Sequence, residues 1–214
     1  MDDGSVQVQV LSHPMVRARL TSLRDAETDT PAFRTLLAQL TTMLMYEALA
    51  GIDVDETTVR TPIGPCTGVR IAQPPLLVPV LRAGLGMLDA AMTLLPEAQI
   101  GFVGVARDEA TARPNEYLVS LPRELAGRTV FVLDPMLATA GSMCHTLDVL
   151  ARHGADDVTA VCVVGAPQGV AALQASPHRL RLVIGGIDDG LNEDSYIVPG
   201  LGDAGDRLFG PRNF

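Results

Sequence analysis

Lysine is absent from this 214-residue chain, and cysteine and positive charge are scarce. Without lysine, the chain cannot contain the lysine-dependent phosphate loop of the Walker type. Sixteen basic against 25 acidic residues give a formal net charge of -9, and no run of arginine forms a basic patch. Because a polyphosphate backbone repels such a surface, we expect no nucleic-acid partner.

The three cysteines, Cys66, Cys144 and Cys162, are far apart and form no C-x-x-C pair. This pattern favours neither a disulfide framework nor a zinc site and is typical of a reducing, cytoplasmic location. No apolar run approaches the length needed to span a bilayer, and the acidic N-terminus lacks the features of a signal peptide. We therefore expect no membrane association. With 47% hydrophobic residues and a mean hydropathy of +0.24, the chain predicts one compact domain over residues 1–214.

Short apolar runs alternate with helix-length segments from Leu76 onward. This alternation predicts an α/β fold with a doubly wound, mainly parallel central sheet, helices on both faces and a small hood or hairpin extension. The predicted strands are 76–81, 100–105, 129–134, 158–165 and 181–187, and the helices between them are 85–95, 141–154 and 168–176. Ahead of the sheet, two helices (14–25 and 31–51) and a hairpin (57–72) are expected to wrap the core.

Ligands bind beyond the carboxyl ends of the strands in an open parallel sheet. The residues directly after each apolar run are therefore the candidates for a binding site. Here Arg82, Arg107 and Asp134 follow three of the runs. Two arginines and an acid at one edge suggest a substrate with phosphates and hydroxyls.

The loop after Asp134 reads PMLATAGS and leads into a predicted helix. Its backbone N-H groups and the hydroxyls of Thr139 and Ser142 would lie at a helix N-terminus, which favours a phosphate group. The same residues equally suit an ordinary strand-to-helix turn capped by Thr139 or Ser142.

Other motifs are weaker. The segment GLGDAG, 200–205, matches G-x-G-x-x-G, but the nine residues after it are too few for a dinucleotide-binding unit. Its glycines would still allow a flat ligand to approach the backbone closely.

Cys144 and His145 are neighbours on a helix and so point in different directions, which disfavours a catalytic dyad. The four histidines lack metal-ligand spacing.

Four segments together resemble uracil phosphoribosyltransferases: VPVLRAGLGM, VARDEAT, FVLDPMLATAGS and LNEDSYIVPGLGDAGDRLFG. The resemblance extends over nearly the whole chain, and YIVPGLGDAGDR is its most specific part. It implies the type I phosphoribosyltransferase fold, with a base-binding hood over residues 188–214. It also implies the conversion of uracil and 5-phosphoribosyl 1-diphosphate to UMP and diphosphate in pyrimidine salvage.

The resemblance also implies roles for single residues. Asp134, Arg107 and Asp203 would be catalytic, and uracil would be framed by Ile197, Gly202, Asp203 and Ala204. The residues expected to bind the phosphoribosyl donor are Arg82, Arg107, Asp134, Pro135, Met136, Leu137, Ala138, Thr139, Ala140, Gly141, Ser142 and Asp203. Mg²⁺ is the implied cofactor, held mainly by the donor's diphosphate rather than by the protein. GTP is a possible activator, and a homodimer or higher homo-oligomer is expected.

The chain departs from the family pattern at three places. Ala140 stands where the phosphate loop usually has glycine, so a positive φ there would cost about 1 kcal/mol and weaken donor binding. Asp194-Ser195 replaces the usual His-Gly next to the uracil-framing residues. Pro135 and Ala138 occupy positions where the wider superfamily has acids, which leaves no evident general base.

Two alternatives remain: a phosphoribosyltransferase for a purine, and a non-catalytic regulator that senses UMP or the donor. YIVPGLGDAG disfavours the first, and the retention of Arg82, Arg107 and Asp134 disfavours the second.

Overall fold

The computed structural model describes residues 6–107 and 114–211, with residues 106, 107, 114 and 115 described by their backbone only. The strands are β1 (Gln7–Val10), β2 (Val54–Arg60), β3 (Pro65–Ile71), β4 (Leu76–Leu81), β5 (Gln99–Ile100), β6 (Phe102–Arg107), β7 (Pro114–Ser120), β8 (Thr129–Leu133), β9 (Met136–Leu137), β10 (Asp157–Cys162), β11 (Val164–Gly165), β12 (Arg181–Ile184), β13 (Gly190–Leu191) and β14 (Ile197–Val198). The α-helices are α1 (Pro14–Arg24), α2 (Thr30–Ala48), α3 (Leu85–Leu94), α4 (Gly141–Arg152), α5 (Pro167–Gln174) and α6 (Ala204–Phe209), and α2 continues into a 3-10 turn at Leu49–Gly51.

The central sheet has the order β1-β12-β10-β8-β4-β6-β7, with the short β5 also paired to β4. Its strand pairs are parallel except for β6 with β7. The predicted, mainly parallel α/β sheet is therefore confirmed. The inner strands are buried because helices cover both faces. Strand β4 accordingly consists of apolar residues throughout, and β8 is apolar after its first residue, Thr129.

Two strands of this sheet were not predicted. β1 has only four residues and pairs in parallel with β12 at one edge. β7 turns back antiparallel to β6 at the opposite edge. Predicted and observed bounds also differ at β6, which ends at Arg107 instead of 105.

Two apolar clusters form the core, one on each face of the sheet. Helices α1, α2 and α3 contribute to the first cluster, together with buried residues near the C-terminus such as Leu201 and Leu208. Helix α4 packs on the other face through Met143, Leu147 and Leu150, which follow helical spacing.

Beyond the sheet, β2 and β3 form an antiparallel hairpin whose turn is closed by a hydrogen bond from Thr61 N to Gly64 O. The hairpin, 54–71, begins three residues earlier and ends one residue earlier than the predicted segment, 57–72. Within the described part of the chain, no helix has both the length and the apolar character required to cross a membrane.

Candidate active site

A cavity of about 630 Å³ opens at the carboxyl ends of the strands. Its walls come from the ends of β4 and β6, from the loop after β8, from the start of α4, and from the segment around β14 and α6. The lining residues are Val80, Leu81, Arg82, Ala83, Val105, Asp134, Met136, Ala138, Ser142, Ser195, Tyr196, Ile197, Gly202, Asp203, Ala204, Gly205, Asp206 and Pro211. The topology thus brings residues more than a hundred positions apart in sequence to one edge of the sheet.

Asp134 lies directly after β8 and is 9% exposed. Its carboxylate accepts a hydrogen bond from the backbone N-H of Met136 at 3.3 Å. Burial raises the pKa of Asp134 from 3.8 to about 7, and the hydrogen bond lowers the pKa by a smaller amount. Near neutral pH this side chain therefore populates both protonation states, which is unusual for an aspartate.

The loop after Asp134 approaches the N-terminus of α4 through a left-handed residue. Ala140, at the N-cap, has φ 62° and ψ 7° and is 5% exposed. Alanine thus occupies a left-handed conformation that favours glycine. This positive φ is the condition under which the sequence predicted backbone strain at Ala140. The N-H groups of the first turn of α4 have no helical carbonyl partner. That of Gly141 donates to Thr139 Oγ1 at 3.4 Å, and those of Ser142 and Met143 are available to an anion.

The phosphate-loop prediction included residues with two different placements. Met136, Ala138 and Ser142 line the cavity together with Asp134. Pro135, Leu137 and Ala140 are buried and form the frame behind it, and the carbonyl of Pro135 accepts hydrogen bonds from Val163 N and Val164 N. Thr139 and Gly141 are exposed at the start of α4. Gly169 of α5 lies against this frame, because a Cβ there would be 2.5 Å from the carbonyl oxygen of Ala138.

Arg82 follows β4 and reaches across the cavity toward α6. Its Nη2 lies 3.4 Å from Oδ1 of Asp206, with both side chains partly exposed. The Nε of Arg82 is buried and has no hydrogen-bond partner within the described residues. Because a buried donor without a partner costs free energy, this guanidinium has unused capacity to bind an anionic ligand. The backbone of Arg107 ends β6, and its side chain lies outside the described residues.

The opposite wall is the loop between β14 and α6, residues 199–203, which we call the β14–α6 loop. Asp203 caps α6 by accepting a hydrogen bond from Asp206 N at 2.8 Å, so it both lines the cavity and fixes a helix end. Gly202 is exposed with φ 79°, whereas Ile197 and Ala204 also line the cavity but are 4% and 2% exposed. Because Gly202 has no side chain, a planar ring could approach the backbone closely at this wall.

Ser195 shows why the second departure from the family pattern matters. It has φ 65°, so a serine occupies a left-handed position where the family usually has glycine. Asn192 stabilises this turn by accepting hydrogen bonds from the N-H groups of Asp194 and Tyr196. Ser195 and Tyr196 then line the cavity beside Ile197. The sequence indicated a change in pocket geometry at this point but not its backbone form.

The described residues contain no group of three or more His, Cys, Asp or Glu side chains that could hold a metal ion. Carboxylate oxygens of Asp134 and Asp203 do line the cavity, and such hard oxygen ligands suit Mg²⁺. This donor set fits an ion that receives most of its ligands from a bound diphosphate.

The fold is that of the type I phosphoribosyltransferases. A hypoxanthine-guanine phosphoribosyltransferase structure from Bacillus anthracis shares the fold, with a TM-score of 0.51 at 9% identity over 74% of this chain and 80% of that one. A solved structure of a protein from Aquifex aeolicus superposes with a TM-score of 0.91 at 36% identity, covering 97% of this chain and 100% of that one.

Sequence comparison identifies the family. Residues 10–211 match the family model described as uracil phosphoribosyltransferase. A uracil phosphoribosyltransferase of Corynebacterium diphtheriae is 51% identical over 208 residues, which cover 97% of this chain and 99% of that protein. One from Corynebacterium glutamicum is 50% identical with the same coverage. The chain belongs to the uracil phosphoribosyltransferase family, which confirms the resemblance found in its sequence.

Proposed function

We propose that this chain transfers the 5-phosphoribosyl group from 5-phosphoribosyl 1-diphosphate to uracil, giving UMP and diphosphate. In this reaction, a ring nitrogen of uracil forms a bond to the anomeric carbon, the bond from that carbon to the diphosphate oxygen breaks, and the nitrogen loses its proton. The observation that supports the proposal most strongly is one cavity lined by a buried acid, an arginine, the start of helix α4 and the β14–α6 loop.

Asp134 is the proposed centre of the donor site. Departure of diphosphate leaves positive charge on the ribose ring, and a carboxylate nearby stabilises that charge most when it is ionised. Because the pKa of Asp134 is about 7, the ionised form is populated above neutral pH. We infer that Asp134 also accepts a hydrogen bond from a ribose hydroxyl, since this residue is buried and lines the cavity.

The phosphates would bind at the two cationic features of the cavity. The N-terminus of α4, with Thr139 to Ser142, suits the 5-phosphate because the helix dipole and the N-H groups that lack a helical carbonyl partner favour an anion. Arg82, with its unpartnered Nε, suits the diphosphate. Arg107 is proposed for the same group from its position at the end of β6. When bound, Mg²⁺ would offset the charge that builds on the leaving diphosphate.

Uracil would lie against the β14–α6 loop, in the hood that we propose for residues 188–214. The alternating carbonyl and N-H groups of uracil can pair with the fixed backbone donors and acceptors around Ile197 and Gly202 to Ala204. Such a site penalises a base that leaves one of these groups unpaired, so it can reject cytosine without a charged side chain.

A spectrophotometric assay of diphosphate release tests the proposed reaction. We expect release that requires the donor, Mg²⁺ and uracil, and none when uracil is replaced by hypoxanthine or adenine. Release with a purine instead would identify a purine enzyme. Binding of UMP or the donor without turnover under any of these conditions would identify a regulator.

Three further properties belong to the same proposal. A homo-oligomer is supported by the hairpin of β2 and β3, whose exposed apolar side chains include Ile63 at 98% and Val69 at 63% exposure. Light scattering of the purified protein measures this directly. GTP activation is proposed from the family resemblance and is tested by adding GTP to the diphosphate assay. Three free thiols support a cytoplasmic location.

A further inference from the structure

An ion pair between Arg24 and Asp188 binds the β14–α6 loop at Gly200. Neither residue has a part in the chemistry described so far. Arg24, at the end of α1, donates to both carboxylate oxygens of Asp188, from Nη1 at 2.6 Å and from Nη2 at 2.5 Å. The Asp188 side chain is 6% exposed and that of Arg24 is 23% exposed. These two residues are 164 positions apart in the sequence.

Both members of this pair also bind the same glycine. Oδ2 of Asp188 accepts a hydrogen bond from Gly200 N at 2.8 Å, and Nη1 of Arg24 donates to Gly200 O at 2.7 Å. Gly200 has φ 63°, and a Cβ at this position would be 2.0 Å from the carbonyl oxygen of Ile197. The turn therefore requires glycine, and the Arg24–Asp188 pair takes up both of its backbone polar groups.

A second arginine holds the next residue of the loop. Nη1 of Arg207 donates to Leu201 O at 3.0 Å and to Leu23 O at 2.7 Å, while its Nη2 donates to Asp25 O and Thr28 O. Leu201 itself is buried in the core at 4% exposure. Through Arg207, the β14–α6 loop is therefore hydrogen-bonded to the end of α1 and to the turn between α1 and α2.

These contacts decide which part of the loop is available to a ligand. The N-H and carbonyl of Gly200 and the carbonyl of Leu201 are bonded on the side of α1, away from the residues that line the cavity. The backbone that remains for the cavity wall begins at Gly202. A change in the direction of the Gly200 peptide would rotate the peptides that follow it.

We propose that Arg24 and Asp188 are positioning residues for the base: they set the orientation of the β14–α6 loop and hence the affinity for uracil, without contacting substrate. The role rests on the proposed binding of uracil at Gly202 to Ala204. The donor is proposed to bind mainly at Asp134, Arg82 and the start of α4, and of its proposed contacts only Asp203 lies in this loop. Donor affinity should therefore depend much less on this pair than uracil affinity does.

Arg24→Lys is the most informative single change. Lysine keeps the positive charge next to Asp188, but one ammonium group cannot reproduce the forked contact with two carboxylate oxygens and Gly200 O. We expect the KM for uracil to rise about tenfold or more, with kcat changed much less. Donor affinity, measured by calorimetry without uracil, should stay within about twofold, since separate subsites behave nearly independently.

Arg181→Lys is the matched control. Arg181 also donates from both terminal nitrogens, to Ala48 O, Glu47 O and the Gln9 side chain. It lies at the start of β12, at the end of the strands opposite the cavity. This control should lose a similar set of hydrogen bonds and keep a normal KM for uracil. An equal rise in KM in both variants would overturn the proposal, because it would reflect a general loss of stability.

A double-mutant cycle separates positioning from simple folding stability. Arg24→Gln and Asp188→Asn each leave one buried charge unpaired, whereas the double variant leaves none, so the double variant should have a higher Tm than either single variant. The KM for uracil should nevertheless remain raised in all three, because none restores the forked contact. A KM that returns to normal together with Tm would overturn the positioning role.

Failure of this inference is distinguishable from failure of the proposed function. A wild-type protein with uracil-dependent diphosphate release and an Arg24→Lys variant with unchanged KM would refute the positioning role alone. A wild-type protein without that release would refute the function, and the positioning role with it.

Discussion

Replacing Asp134 by asparagine should stabilise the fold at alkaline pH, although this residue is proposed to be essential for activity. Burial raises the pKa of Asp134 from 3.8 to about 7. The folded protein therefore binds this proton more tightly than the unfolded chain does, so its contribution to stability is fully present below the unfolded pKa. That contribution is lost as the pH rises through about 7.

The magnitude follows from the size of this pKa change. Each unit of pKa corresponds to about 1.4 kcal/mol, so the ionised side chain lowers the free energy of unfolding above pH 7 by about 4 kcal/mol. Asparagine carries no charge, and its oxygen can still accept the hydrogen bond from Met136 N. Its amide adds a buried donor that costs about 1–3 kcal/mol if unpaired. A net gain of about 2 kcal/mol is therefore expected at pH 8.5, falling to near zero at about pH 5.

Thermal unfolding followed by circular dichroism, without substrate and at constant ionic strength, measures this difference. For a chain of this length, a gain of about 2 kcal/mol corresponds to a Tm increase of about 4–8 °C at pH 8.5. Asp189→Asn is the control for loss of one negative charge, because Asp189 follows the same sheet edge but is exposed. It should show no such pH-dependent gain. The same Tm difference at pH 5 and pH 8.5 for Asp134→Asn would refute the reasoning from burial.

Four further predictions concern ligands. In activity assays, Asp134→Asn should lower kcat by about a hundredfold or more with a much smaller change in the KM for uracil, since the interaction is strongest in the transition state; an unchanged kcat would remove Asp134 from the catalytic residues. The wild-type kcat/KM for the donor should fall below pH 7 as the carboxylate of Asp134 is protonated, and the variant should lack this dependence. Gly202→Ala, at φ 79° in the cavity wall, should raise the KM for uracil about tenfold, whereas Gly127→Ala, at φ 68° with open space around it, adds comparable backbone strain and should leave that KM unchanged; similar KM values for both variants would contradict the assignment of the base site. Ala140→Gly should tighten donor binding by up to about tenfold, equivalent to 1.4 kcal/mol, because glycine adopts the left-handed conformation of the phosphate loop at lower cost; equal or weaker binding in a calorimetric titration would show that alanine already suits this backbone.

Several features of the fold could be predicted from local pattern because they depend on burial alone. The run LLVPVL forms β4 at the predicted positions, 76–81, since a strand covered on both faces must be apolar throughout. The turn at the start of α4 was recognisable from its small and hydroxyl residues, and the family from motifs in the expected order. Strands at the sheet edges were missed. β1 is four residues long and gains its stability from the neighbouring β12, so its own sequence signals it weakly.

What the sequence determined by itself is the alternation of elements, the residue types at the strand ends and the family to which the chain belongs. Tertiary structure alone decided the environment of those residues. The elevated pKa of Asp134 arises from burial, which no local pattern specifies. The bond between Arg24 and Asp188 joins helix α1 to a loop near the other end of the chain. Local propensity acts over a few neighbouring residues, whereas electrostatic environment and long-range hydrogen bonds depend on distances that exist only once the chain has folded.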